Sequence, residues 1–381
     1  MRHLSPEDLD QIARELDAIG DAVRADLGTR DATYIRRVVA TQRGLEVAGR
    51  ALVLGARWRP AAVAGAAVLA VAKALENMEI GHNVMHGQYD FMNDPAIHST
   101  TWEWDAASTA ESWKHSHNFQ HHTYTNVLGK DRDLGYSAMR VDPEQPWHPV
   151  YLLQPLYGIG MALTFQWGIA LYDMELDAVR DGRKTRERAR EEIRAFVRKA
   201  AAQVAKDYVV FPALAGRRGF RRAVAANLAA NAARNVWVHT IVFMGHIPEP
   251  ASTFTFTEEE FETESRGGWY VRQLLGSCNL EGSPLFHVMT GNLSHQIEHH
   301  LFPDIPASRY ASMAPQVRAV CERWGLPYHS GRLGPQYRSV GKKILRLSFP
   351  GGGGVAARSG QPRPGTTPDG AAPAPREPAL A

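Results

Sequence analysis

His117-Asn118-Phe119-Gln120-His121-His122 and, far downstream, His295-Gln296-Ile297-Glu298-His299-His300 set histidines at one shared spacing, H-x-x-x-H-H. A third stretch, Gly81-His82-Asn83-Val84-Met85-His86-Gly87, places His82 and His86 four residues apart directly after an apolar run. On a helix, residues four apart share one face. Each stretch therefore presents a pair of imidazoles, and His122 and His300 each add a neighbouring ring. One such box is an ordinary histidine-bearing surface helix as readily as a site. Three, two of them with the same spacing, read as a metal centre.

Imidazole suits zinc, copper and iron alike, so ligand type does not choose the metal. A zincin needs His-Glu-x-x-His, and Asn83 stands where the glutamate belongs. A structural zinc site closes with four ligands, usually including cysteine. Eight box histidines exceed what one metal can use, which implies two metals. Carboxylate-bridged di-iron proteins repeat Glu-x-x-His on paired helices, but here Glu79 and His82 give that spacing without a second copy.

The surrounding chain is mostly apolar and helix-forming. Its 381 residues carry a net charge of +3, too little to argue for nucleic acid. Cys278 and Cys321 form neither a disulfide framework nor a zinc knuckle, which places the chemistry in a reducing compartment. The mean hydropathy of -0.32 is low for a membrane protein, but local segments stand out from it. Val150–Tyr172 is uncharged over the length a bilayer core requires and is the best single span. Ala51–His82, broken at Trp58-Arg59-Pro60, reads as a helical hairpin or one long span, and Ala223–Ile247 as another span that holds Arg234. The charged stretch from Asp173 to Asp207 reads as a solvated or interfacial helix.

The expected fold is all-α: an integral membrane helical bundle of about four spans with a cytoplasmic helical cap carrying the metal site. Residues 1–40 form a cytoplasmic amphipathic helix, 41–345 the membrane domain with boxes at 82–86, 117–122 and 295–300, and 350–381 a tail too poor in large apolar residues to order. The second and third boxes must meet on one side, so the chain between them crosses an even number of times. Taking Val150–Tyr172 and Ala223–Ile247 as those crossings puts the Arg-rich connector outside, against the positive-inside tendency. A re-entrant segment, or a membrane element added by the run Tyr208–Gly216, would resolve the conflict.

In these residues the chain resembles the membrane fatty acid desaturase superfamily, which carries three histidine boxes. The third box with its continuation, Gln296-Ile297-Glu298-His299-His300-Leu301-Phe302-Pro303, is similar to the front-end and actinobacterial acyl-CoA branch. So are Glu76–Pro95, Ser99–Asp105 and His121–Tyr136. The resemblance implies a non-haem di-iron centre at the cytoplasmic ends of membrane helices. Its box positions are His82, His86, His117, His121, His122, His299 and His300. In the third box Gln296 matches by resemblance and His295 by ligand chemistry, so both stand as candidates. The family also draws a histidine from the end of the fourth span, for which His246 is the choice over His239. His98, His115 and His287 are not expected to be ligands, and Asp131, Asp133, Glu298 and Asp304 are candidate carboxylates to orient the rings.

The implied activity is an O2-dependent fatty acyl desaturase, acting on acyl-CoA or acyl lipid and introducing a cis double bond. An unactivated methylene has no acidic proton, so acid-base side chains cannot break its C–H bond and an oxidant is required. No Gly-rich dinucleotide fingerprint or cysteine set for an iron–sulfur cluster is present. Electrons must therefore come from a separate protein of ferredoxin, cytochrome b5 or flavin/iron–sulfur reductase type. The expected setting is the bacterial cytoplasmic membrane, with the site facing the cytoplasm. A di-iron lipid hydroxylase or ketolase uses the same boxes, and a non-enzymatic membrane metal-binding protein is the reading from a different class.

Overall fold

The computed structural model describes residues 4–351. All but Pro350 and Gly351 of the expected tail lie outside the described residues.

Helix α1 (Pro6–Ala25) starts from a reciprocal cap, in which the Ser5 hydroxyl accepts from the Asp8 N–H and the Asp8 carboxylate from the Ser5 N–H. Helix α2 (Thr29–Leu54) runs through residue 40 and ends at a turn. There Pro60, in the first turn of α3 (Arg59–Leu75), starts the return helix. The hairpin alternative for the Ala51–His82 stretch is the one adopted. The two helices approach closely because glycines face across: a Cβ on Gly49 would stand 2.8 Å from Leu69 Cγ, and one on Gly65 2.9 Å from Val53 Cγ2.

Helix α4 (Gln154–Leu163) and helix α5 (Phe165–Asp173) are separated by a break at Thr164. Next come helix α6 (Arg186–Val204), capped by the Thr185 side chain, and helix α7 (Gly216–His246). Helix α6 continues through a π-helical stretch, Ala205–Val210, and a short helix, Phe211–Leu214. The chain then reverses at Gly216, whose φ of 72° suits a residue without a Cβ. At that end Arg222 donates to the Arg57 carbonyl, so α7 begins beside the α2–α3 turn and ends at His246, on the histidine side.

Four antiparallel segments thus run between two ends, and the third differs from expectation. Val150–Tyr172 is not one continuous helix. Its start is tied to the histidine side by Gln154, which donates to the Ile344 carbonyl at 2.7 Å, and its end by Asp173, which accepts from the Ser116 hydroxyl at 2.6 Å. Its middle reaches Asn235, which donates to the Leu163 carbonyl at 2.8 Å. The segment dips and returns, and α6 with its extension to Leu214 makes the traverse instead. Burial explains why: the arginines of the first turns are exposed, whereas further along Gln203 and Asp207 point inward and Val197, Val204, Val209, Val210 and Leu214 outward. Charge content hides that facing. Among the described residues, one helix, Arg59–Met85, is long and apolar enough to cross a membrane by composition.

Helix α8 (Arg266–Gly276), helix α9 (Gln296–Leu301) and helix α10 (Tyr310–Trp324) join α1 in a cap. Its core holds Ile12, Leu16, Leu274, Ile297, Phe302 and Met313. Arg309 ties the cap to α2 through Asp31 at 2.6 Å. A two-stranded parallel ribbon, β1 (Asn279–Glu281) with β2 (Ser330–Arg332), precedes helix α11 (Leu333–Leu347).

Candidate metal centre

The first box begins where a π-helical turn, Glu76–His82, ends, and the second lies in another, Lys114–His121, up to its last histidine. An extra residue per turn widens the helix locally and changes where successive side chains point, a distortion found mostly at functional sites. His117 and His121 still stack, with ring centroids 5.0 Å apart. His82 and His86 lie 4.6 Å apart. The third box starts α9, and His246 ends α7. Asn118 donates to the Met85 carbonyl at 2.8 Å and locks the first two boxes together.

Among the described residues, side-chain ligand atoms gather in four overlapping groups, in one of which His117 and His121 meet around Asp133, and two of which share no member. His82, His86, His117 and His299 form one, and His121, His246 and His300 the other, with all ligand atoms of a group within 4.8 Å of one another. His122 stands between them and groups with His299 and His300. Gln296 reaches the second group, its Nε2 lying 2.9 Å from His246 Nε2. His295 goes elsewhere: its ring stacks on His287 at 4.6 Å, outside every one of these groups. His239 also stays apart, stacked on Phe243 at 4.0 Å.

Ring orientation is enforced from behind. His117 Nδ1 donates to Asp133 at 3.0 Å, and His121 Nδ1 to both oxygens of Asp131 at 3.0 and 3.1 Å. His246 Nδ1 donates to the Gly276 carbonyl at 3.0 Å, and His300 Nδ1 to Gln273 Oε1 at 2.9 Å. His82 Nδ1 meets Asn83 Oδ1 at 2.9 Å, and His299 Nδ1 the Tyr310 hydroxyl at 3.4 Å. With Nδ1 engaged, the lone pair lies on Nε2, and the buried Nε2 atoms of His82, His86, His117, His299 and His300 have no hydrogen-bond partner. Buried polar atoms are ordinarily paired. Four such nitrogens meet in the first group, and in the second His300 Nε2 is unpaired while His246 Nε2 meets Gln296; this buried, nitrogen-rich donor set fits the metals implied by the boxes.

Burial, reinforced by neighbouring imidazoles, holds His117, His122, His299 and His300 well below the usual histidine range and hence neutral, the ligating form. At His121 burial works the same way, but the Asp131 carboxylate outweighs it and raises the ring's basicity. Of the four candidate carboxylates, Asp131 and Asp133 hold rings. Glu298 instead accepts from Asn279 and Tyr328, each at 2.8 Å, and Asp304 pairs with Arg24 at 2.7 Å. Gln273 and Tyr310 carry no motif, and nothing local in the sequence marks them. Asn83 sits inside the first box and was legible only as the residue that excludes a zincin.

A narrow cavity of about 50 Å³ opens beside the rings, with His82, His117, His121 and His246 in its wall and Phe165 and Val238 further along.

The profile of the fatty acid desaturase family matches residues 57–332. The chain is 47% identical over 351 residues to an NADPH-dependent stearoyl-CoA 9-desaturase of Mycobacterium tuberculosis, covering 91% of this chain and 82% of that protein. It is 27% identical to an sn-1 linoleoyl-lipid 6-desaturase of Synechocystis, over 71% of this chain and 75% of the relative. A Delta(5) fatty acid desaturase of Dictyostelium discoideum is 29% identical over 69% of this chain and 58% of its own length. Two buried histidine groups beside an apolar cavity, and a match that spans all three boxes, lead to one assignment: the chain belongs to the fatty acid desaturase family.

Proposed function

We propose that the protein is a membrane acyl-CoA desaturase that places a cis double bond in the middle of a saturated acyl chain. The carrying observation is the pair of disjoint histidine groups beside an apolar cavity. The similarity to a stearoyl-CoA 9-desaturase supports acyl-CoA as substrate and a mid-chain position for the new bond. In this reading His82, His86, His117 and His299 hold one iron, His121, His246 and His300 hold the second with Gln296 beside it, and His122 serves between them. Iron so held supplies the oxidising chemistry of the balance RCH2CH2R′ + O2 + 2e⁻ + 2H⁺ → RCH=CHR′ + 2H2O, the electrons arriving from a separate redox protein.

The chain's own residues do the rest. Asp131 and Asp133 fix the His121 and His117 rings and raise their donor strength. Phe165, Ile169, Val238 and Val242 make a channel wall that grips methylenes and excludes water. Trp113 stacks on His117 at 4.5 Å and closes the wall beside the rings.

The four antiparallel segments would be the membrane spans, with outward-facing side chains such as Val47, Val63 and Leu214 meeting lipid. This topology keeps both ends of the Val150–Tyr172 segment and the arginines that open α6 on the histidine side. That is the cytoplasmic side of a bacterial membrane by the positive-inside tendency. Expression in cells of defined fatty acid profile, with His121→Ala as control, tests the reaction. A new monounsaturated species that vanishes in the variant is expected, and a product carrying an added oxygen would instead identify a hydroxylase. Two irons per purified chain are expected, and one zinc per chain would overturn the site.

A further inference from the structure

The cavity beside the rings does not end in an apolar plug. Below Phe165, Ile169 and Val238, which line both spaces, it meets a smaller chamber of about 20 Å³ whose added walls include Arg234, Asn235 and Gln166. These side chains are only 1%, 3% and 6% exposed. Arg234 uses Nη1 on Asn77 Oδ1 at 2.7 Å and on the Asp105 carbonyl at 3.3 Å. Its Nε and Nη2 have no partner, and neither do Asn235 Oδ1 and Gln166 Oε1. The residues that wall this space, which holds about one water, thus carry two unpaired donor nitrogens and two unpaired acceptors. Along α7 the wall reads His246, Val242, Val238 and then Asn235 and Arg234, so the polar groups start about 16 to 18 Å below the His246 backbone.

We propose that this chamber holds ordered water and gives the acyl channel a polar floor, so that Arg234, Asn235 and Gln166 set the longest chain the site accepts. The proposal rests on the reading that the cavity takes the acyl chain. A methyl end that stops at Val238 leaves the chamber hydrated. Two further methylenes must displace that water and meet a guanidinium with two unpaired nitrogens and two amide oxygens with nothing to offer them, a buried mismatch of the kind that rejects ligands strongly. The limit on length is therefore set by desolvation and not by lack of space alone.

Membranes carrying the full chain, given a saturated acyl-CoA series in two-carbon steps, provide the test, read as the ratio of longer to preferred product. Gln166→Leu and Arg234→Met are each expected to raise that ratio by about tenfold, and Val238→Phe to shift the profile to shorter chains. If Val238→Phe shortens the profile while Gln166→Leu and Arg234→Met leave the ratio at the parent value, the polar floor is wrong and the acyl path stands. If Val238→Phe changes nothing, the path itself is wrong and the floor falls with it. Should Arg234→Met yield no product at any length because the charge network around it fails to assemble, Gln166→Leu decides alone.

Discussion

Lys73 on α3 donates to Asp207 at 3.1 Å across the middle of the bundle, and Arg50 of α2 meets the other oxygen of the same carboxylate at 2.7 Å. Asn231 of α7 donates to it as well, at 3.1 Å. One fully buried carboxylate on the α6 extension therefore touches all three other long segments.

Removing one partner of a buried ion pair strands the rest, at about 3–5 kcal/mol. Asp207→Ala is expected to destabilise the protein by that amount, seen as early loss of folded protein on heating in detergent. Asp207→Asn keeps one acceptor and should fall between the parent and the alanine variant. Parent-like melting of Asp207→Ala would mean the junction contributes nothing to stability.

His121 and Asp131 give a second expectation. Loss of a carboxylate behind a metal-bound histidine typically costs about 10- to 100-fold in metal affinity. Asp131→Ala should lose iron to a chelator at correspondingly lower concentration than the parent, with α-helical content unchanged. Equal retention by the two proteins would remove Asp131 from the centre.

The third box separates its own members. His299→Ala should lose iron, because His299 sits in the first group, whereas His295→Ala should keep the parent's iron content, because that ring stacks on His287 away from both groups. Elemental analysis of the two purified variants decides it. Iron loss in His295→Ala would show that the third box turns its other face to the metals.

Topology gives a fourth. Cys278 and Cys321 are buried, so an introduced cysteine reports with low background. His148→Cys and Asp181→Cys flank the dipping segment and should label from one side of a sealed membrane vesicle, and Trp58→Cys from the other. Labelling of His148→Cys and Asp181→Cys from opposite sides would restore Val150–Tyr172 as a span.

Much of the centre was legible because helical periodicity acts over four residues: His82 with His86 and His117 with His121 announce themselves by spacing, and His122 and His300 as adjoining rings. Choosing between His295 and Gln296 was beyond that signal, since it depends on where α9 begins relative to α7, a contact across about fifty residues. The third traverse was hidden for a different reason. Hydropathy counts Lys199, Gln203, Lys206 and Asp207 against a span without seeing that Asp207 is answered by Arg50, Lys73 and Asn231. The uncharged Val150–Tyr172 run scored well while Thr164 broke it. Gln273 and Tyr310 were invisible because a side chain that holds a histidine from a distant helix needs no local pattern.

The two nitrogen groups draw on residues as far apart as His82 and His300, with the cap closing over rings that the bundle presents. A growing chain therefore has no complete binding site until most of its length has been synthesised and the cap has docked. Metal loading is thus a late event, which follows the docking of the cap.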